Sequence, residues 1–151
     1  MGIQAECSGL VYLLGSYHNH LEQLVNGYLK LFAIHTKFES ADRAHLVKSN
    51  LWNIVKVRDA LRELLELLGD SFYEEQKMVG VVKGVGTSVS SGSDLLCCIR
   101  LSKLRDIVYE VMTNMQSNNV LRAFYGQALI VLRDIYRILF DITNKYCKSI
   151  V

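Results

Sequence analysis

Apolar residues recur along this chain in alternating steps of four and three, the spacing that lays one stripe down a helix. From Leu10 they fall at Leu14, Tyr17, Leu21, Leu24, Tyr28 and Leu31, which predicts a first helix over residues 3–36. Gly9, Gly15 and Gly27 weaken it, each at a cost of about 1 kcal/mol relative to alanine, so the helix can kink or break near Gly15. Ser40 or Asp42 can cap a second helix, whose apolar face reads Val47, Leu51, Ile54, Val55, Leu61, Leu64, Leu65 and Leu68. Gly69 reads as its stop, although the sequence leaves open whether the second helix continues across it into the next. Ser71 and Glu74 then have the spacing of a capping box, so a short third helix is expected from Phe72 to about Lys83.

Residues 84–93, with the run VGTSVSSGS, read as the one loop or linker of the chain. A fourth helix carries Leu101, Leu104, Val108, Val111 and Met115 and ends at the turn Ser117-Asn118-Asn119. A fifth holds Leu121, Tyr125, Ala128, Leu132, Ile135, Leu139, Ile142 and Tyr146 in register for more than three heptads. Short connections favour antiparallel packing within one molecule. The expected fold is all-α: an up-and-down antiparallel bundle of four long helices and one short one, a single domain over residues 1–151, with a frayed tail at 147–151. The fifth helix reads as an ordinary outer helix, because Asp134 with Arg137 and Asp141 with Lys145 set opposite charges three or four apart. The first helix is different. Its only charges are Glu6, Glu22 and Lys30, while Val25, Leu29 and Phe32 add apolar bulk beside the main stripe, so it is either covered on several sides or used as an interface.

Composition narrows the class. The chain has 151 residues, 50% hydrophobic and 21% charged, with no proline and a net charge of +2. A domain of this size buries roughly 68–70% of the surface of its unfolded chain. The apolar content excludes an extended disordered chain, and the lack of proline suits long uninterrupted helices. No apolar run approaches the ~20 residues that span a bilayer. No basic segment precedes the apolar Leu10–Leu14 stretch, so no secretory signal and a cytoplasmic location are expected. The cysteines Cys7, Cys97, Cys98 and Cys147 include no CxxC, and the adjacent pair suits a bridged scaffold poorly. Buried or half-buried thiols are the expectation. Charge is uneven: residues 1–75 carry 7 basic and 10 acidic groups, net −3, and residues 76–151 carry 10 and 5, net +5.

Catalytic and metal patterns are missing. His18 and His20 lie two apart and face different ways on a helix, His35 and His45 add no ligand spacing, and no HExxH or paired-cysteine motif occurs. The text GVVKGVGTS at residues 80–88 matches neither phosphate-binding pattern, and its serines have no GxSxG elbow. Acidic residues mostly sit beside basic ones on wet faces, which is not catalytic spacing. Arg100, Lys103 and Arg105 form too small a cluster for nucleic acid. Met1-Gly2 is followed by Glu6 where myristoylation needs serine or threonine. A non-enzyme is therefore expected, without cofactor, metal, nucleic acid or membrane span.

Two short stretches bear on partners. The run LRELLELLGDSF, residues 61–72, resembles the Bcl-2 homology-3 segment, with Leu61, Leu65, Leu68 and Phe72 around the pair Gly69-Asp70. The resemblance covers about 12 residues and implies an apolar face that enters a groove, with Asp70 pairing a partner arginine. The chain lacks the NWGR-type motif of the cellular proteins, and Gly69 as a helix cap with core leucines is the alternative reading of the same residues. The terminus Ser149-Ile150-Val151 resembles a class I ligand of PDZ domains, which implies capture of the carboxylate and of the Val151 side chain. The expected function is a protein-protein interaction module, an adaptor, scaffold, assembly subunit or inhibitor. It would bind partner helices, or a second copy as a homodimer, through Val25, Leu29, Phe32, Leu61, Leu65, Leu68, Asp70, Phe72 and Val151. The alternatives are a Bcl-2-like regulator of apoptosis, viral members included, and a bundle that binds lipid or a small apolar ligand.

Overall fold

A computed structural model describes the backbone of residues 3–34, 41–81 and 90–148 and the side chains of residues 9–33, 41–69 and 95–148. Five helices make up this part of the chain, with no strand among the described residues: α1 (Ile3–Ile34), α2 (Ala41–Val81), α3 (Ser90–Gln116), α4 (Asn119–Phe124) and α5 (Gly126–Tyr146). The all-α bundle of four long helices and one short one is therefore the observed fold. The short member is not the expected one.

Two readings of the second helix are corrected. Helix α2 runs unbroken through Gly69, and no separate helix starts at Phe72. A glycine that ends a helix takes a left-handed backbone, whereas Gly69 has none and leaves open space where a Cβ would stand. Its helical cost is about 1 kcal/mol, in a helix whose buried Leu68 directly precedes it and whose buried Leu64 and Leu61 lie about one and two turns earlier. Likewise α1 is one continuous helix past Gly15. The expected loop at 84–93 is shorter on its far side, since Ser90 already belongs to α3.

The short helix is α4. Asn118 caps it, its side-chain oxygen accepting from the amides of Val120 and Leu121 at 2.9 and 3.1 Å. The apolar register continues through Tyr125, yet the backbone leaves the helix there (φ −100°, ψ 26°) and restarts at Gly126. The break turns the Tyr125 ring fully inward. Its hydroxyl donates to the Val47 carbonyl of α2. Around it Tyr28 stands edge-on at 4.8 Å, Phe124 at 4.9 Å, and Phe32 stacks on Phe124 at 5.7 Å. One aromatic cluster thus pins the end of α1 and the start of α2 to α4.

The helices pack as two antiparallel pairs. In the first, Arg62 of α2 donates from Nε to the buried His18 of α1 and from Nη2 to Glu22, both at 3.4 Å. In the second, Cys98 of α3 and Cys147 after α5 form a disulfide with Cα atoms 5.6 Å apart. Further along, Arg105 donates from Nη1 to the buried Thr143 at 2.9 Å, and Tyr109 meets Tyr136 at 5.4 Å. The disulfide corrects the expectation of thiols at these two positions. It also corrects the fraying from residue 147, because Cys147 is buried and its amide donates to the Thr143 carbonyl at 2.9 Å. Between the pairs runs one continuous core, from Leu14, Leu21 and Val25 through Ile54 and Leu61 to Leu101, Leu132, Ile135 and Leu139.

Candidate functional site

The charge-poor helix α1 uses most of its apolar surface inside the molecule. Val25 is 1% exposed and belongs to the core, and Phe32 is half-buried in the aromatic cluster. As partner-binding residues, Val25 is corrected to a core position, while Leu29 alone of this trio stands out, at 51% exposure. The other exposed apolar side chains of α1 do not gather around it. Tyr12 and Leu13 are neighbours in sequence and so point about 100° apart. Leu13 and Leu31 share a face but lie about 27 Å apart along the axis.

The stretch that resembles a Bcl-2 homology-3 segment is likewise turned inward. Leu61 and Leu68 are core residues, and Leu65 is half-buried against the core. Their apolar face is taken up by the chain's own core, which corrects Leu61 and Leu68 as a free docking stripe. Asp70 and Phe72 lie on α2, with side chains outside the described set, and Val151 lies outside the described residues.

An open surface lies elsewhere, at the seam of the two helix pairs. A groove of about 350 Å³ runs between α2 and α3. Its floor is apolar: Ala60, Leu64 and Leu67 from α2, Leu104 and Ile107 from α3. Its walls are charged with opposite signs. Glu63 and Glu66, three residues apart, stand on α2; Arg100 and Lys103, also three apart, stand on α3. Side chains at this spacing share one helix face. Ion pairs among the described residues include those of Arg58 with Asp59, Arg62 with Glu22 and Arg105 with Asp106. None of the four groove charges is in an ion pair or side-chain hydrogen bond among the described residues. Leu96, 42% exposed and one turn before Arg100, continues the same face of α3.

The groove lining includes no serine, threonine, cysteine or histidine, and no group of three His, Cys, Asp or Glu side chains that could hold a metal exists among the described residues. Two lysine and arginine heads beside two carboxylates over leucine and isoleucine can receive a body that is apolar in the middle and charged along both edges.

Sequence reasoning named Leu64 and Leu104 only as stripe residues and Arg100 and Lys103 only as part of a basic cluster, and it did not name Ala60, Glu63, Glu66, Leu67 or Ile107. Arg100, Lys103 and Arg105 look like one basic cluster in the sequence, but the structure divides them: Arg105 turns to Thr143 of α5 and pairs with its neighbour Asp106, and the other two line the groove with α2. The available signal was the pair of same-sign, three-residue spacings at 63/66 and 100/103. It gains meaning only once α2 and α3 are known to be neighbours.

No helix among the described residues is long and apolar enough to cross a membrane. Compared with protein-family models, with curated proteins and with solved structures, the chain matches none.

Proposed function

We propose that this protein is a non-enzymatic binding module, of the adaptor or assembly kind, whose α2–α3 groove receives a helical segment of a partner protein. One observation carries the reading: an open groove with an apolar floor whose four wall charges have no counter-charge within ion-pair distance among the described residues. Charges left unpaired beside apolar surface are features that a partner of complementary charge uses for orientation and encounter rate.

A helix is the favoured form of the ligand. An extended segment laid against two helices finds no free sheet edge, so its own amides and carbonyls would lose water without gaining partners. A helix brings its backbone already satisfied. The floor residues at 60, 64 and 67 on α2 span about 10 Å, the length of two turns, and those at 104 and 107 on α3 about 4.5 Å.

The test is affinity capture with the intact chain, with Arg100→Glu/Lys103→Glu, and with Ile130→Ser on the exposed side of α5, which does not line the groove. The expected result is a defined set of proteins held by the wild type and by Ile130→Ser and lost from the groove variant. Equal recovery by all three chains would move binding away from the groove.

A further inference from the structure

The charges of the groove specify more than that a helix binds. We infer that the ligand is an amphipathic helix with acidic residues along one edge of its apolar stripe and basic residues along the other, docked with the acidic edge over α3 and the basic edge over α2. This rests on the helix-docking reading of the groove and adds the chemistry of the partner and its direction.

The argument is one of charge complementarity. Glu63 and Glu66 stand along one wall, and Arg100 and Lys103 along the other. Each same-sign pair is separated by three residues, about 4.5 Å of helix rise. A docked helix offers edge residues at three- and four-residue spacing, whose Cβ atoms are about 5–6 Å apart, so two consecutive edge positions meet both charges of a wall. Between the edges, apolar side chains at i, i+3 or i+4, and i+7 meet the half-buried Ala60, Leu67 and Ile107, with the buried Leu64 and Leu104 beneath them. The side chain of Ala60 is small, which leaves room at that end for a large apolar anchor.

Uniformly charged ligands do not fit. A nucleic-acid backbone would gain Arg100 and Lys103 but meet Glu63 and Glu66 on the facing wall, and a polybasic helix would meet the reverse conflict. The two-signed walls also set direction. Turning a two-edged helix end for end exchanges its left and right edges, which places carboxylate against carboxylate and cation against cation. Like charges so juxtaposed disfavour the wrong orientation. The groove therefore selects both a sequence class and one polarity of docking.

Three synthetic 18-residue helical peptides with the same Leu stripe test this directly. One has a Glu edge and a Lys edge, one has two Glu edges, and one has two Lys edges; binding is measured by isothermal titration calorimetry at 50 mM salt. For the wild type, the mixed peptide should bind roughly tenfold more tightly than either uniform peptide, about 1.4 kcal/mol. The preference should shrink in 1 M salt, where the Debye length is about 3 Å. Replacing one wall should change the ligand chosen. Glu63→Lys/Glu66→Lys should favour the two-Glu peptide, and Arg100→Glu/Lys103→Glu the two-Lys peptide. The neutral variant Arg100→Gln/Lys103→Gln checks that a loss is not unfolding, with far-UV circular dichroism recorded for every chain. If the wild type binds no peptide at all, the helix-docking reading itself falls. If it binds all three equally, or the wall variants leave the ranking unchanged, docking stands and the charge rule is overturned. A wild-type dimer in light scattering that the wall variants abolish would make the occupant a second copy, and would overturn the inference of a separate partner.

Discussion

Joining Cys98 to Cys147 closes a span of 49 residues, from the first turns of α3 to the end of α5. In the chain-entropy treatment, a crosslink over a loop of this length removes about 14 cal/mol/K from the unfolded chain, or about 4 kcal/mol at 25 °C. The clean perturbation is reduction of the wild type, because it breaks the link and leaves both buried sulfurs in place. Cys98→Ala/Cys147→Ala is the second arm, and it should cost somewhat more, since both side chains lie in the core. Urea denaturation followed by circular dichroism at 222 nm, with and without dithiothreitol, reads the difference. For about 150 residues each kcal/mol moves Tm by about 2–4 °C, so reduction should lower Tm by roughly 8–16 °C. Peptide mapping without reduction should recover the fragments around Cys98 and Cys147 as one linked species. A loss below about 1 kcal/mol together with a linked species would show that the unfolded chain already holds these ends together. Separate fragments would remove the bridge.

Other outcomes follow from single residues. Tyr125→Phe removes the hydroxyl that donates to Val47 and nothing else of the buried ring; a loss of about 1 kcal/mol is expected in urea denaturation. Burial pushes the Tyr125 hydroxyl above its ordinary range, helped by Tyr28, and burial also raises Tyr28, with the Ala128 backbone hydrogen bond pulling it back. Above about pH 10 the unfolded chain then loses protons that the folded one keeps, so stability is intact below that point and falls as pH rises beyond it, by up to about 1.4 kcal/mol per pH unit for each tyrosine. The decline between pH 9 and pH 11 should be shallower in Tyr125→Phe, and an equal slope in both chains would contradict it. Val25→Asp should unfold the protein or cost more than about 3 kcal/mol, and Leu29→Asp should stay within about 0.5 kcal/mol, both read by thermal melting. Gly69→Ala should raise stability by about 0.5–1 kcal/mol, because the site is helical and its Cβ position is open.

Helices were legible here because a buried stripe must repeat near 3.6 residues, and Leu14, Leu21 and Val25, like Leu132, Ile135 and Leu139, keep to it. The punctuation was less legible. Gly69 carries the residue type of a stop signal, but a glycine ends a helix only where the chain turns left-handed, and the packing on either side decides that. Tyr125 is the converse: an apolar residue in perfect register conceals a break, because its position in the stripe says that the ring goes inward and not how far the backbone bends to take it there. The cysteines failed for a related reason. Spacing along the chain says nothing about residues 98 and 147, which meet only because α3 and α5 run antiparallel.

The groove belongs to this last kind of information, since it consists of two helix faces that no sequence window contains together. Each wall is fixed from behind. On the α3 side the disulfide at Cys98 lies two residues before Arg100, and the Arg105 contact to Thr143 lies two residues after Lys103. On the α2 side Arg62, which reaches His18 and Glu22 of α1, directly precedes Glu63. The charged residues that face the seam thus alternate with residues that bind each helix to its own partner, so the walls are held by α1 and α5 as well as by the core that α2 and α3 share beneath the groove. A groove built this way has its two helix backbones fixed from both sides, so its four exposed charges stand at set positions along the seam.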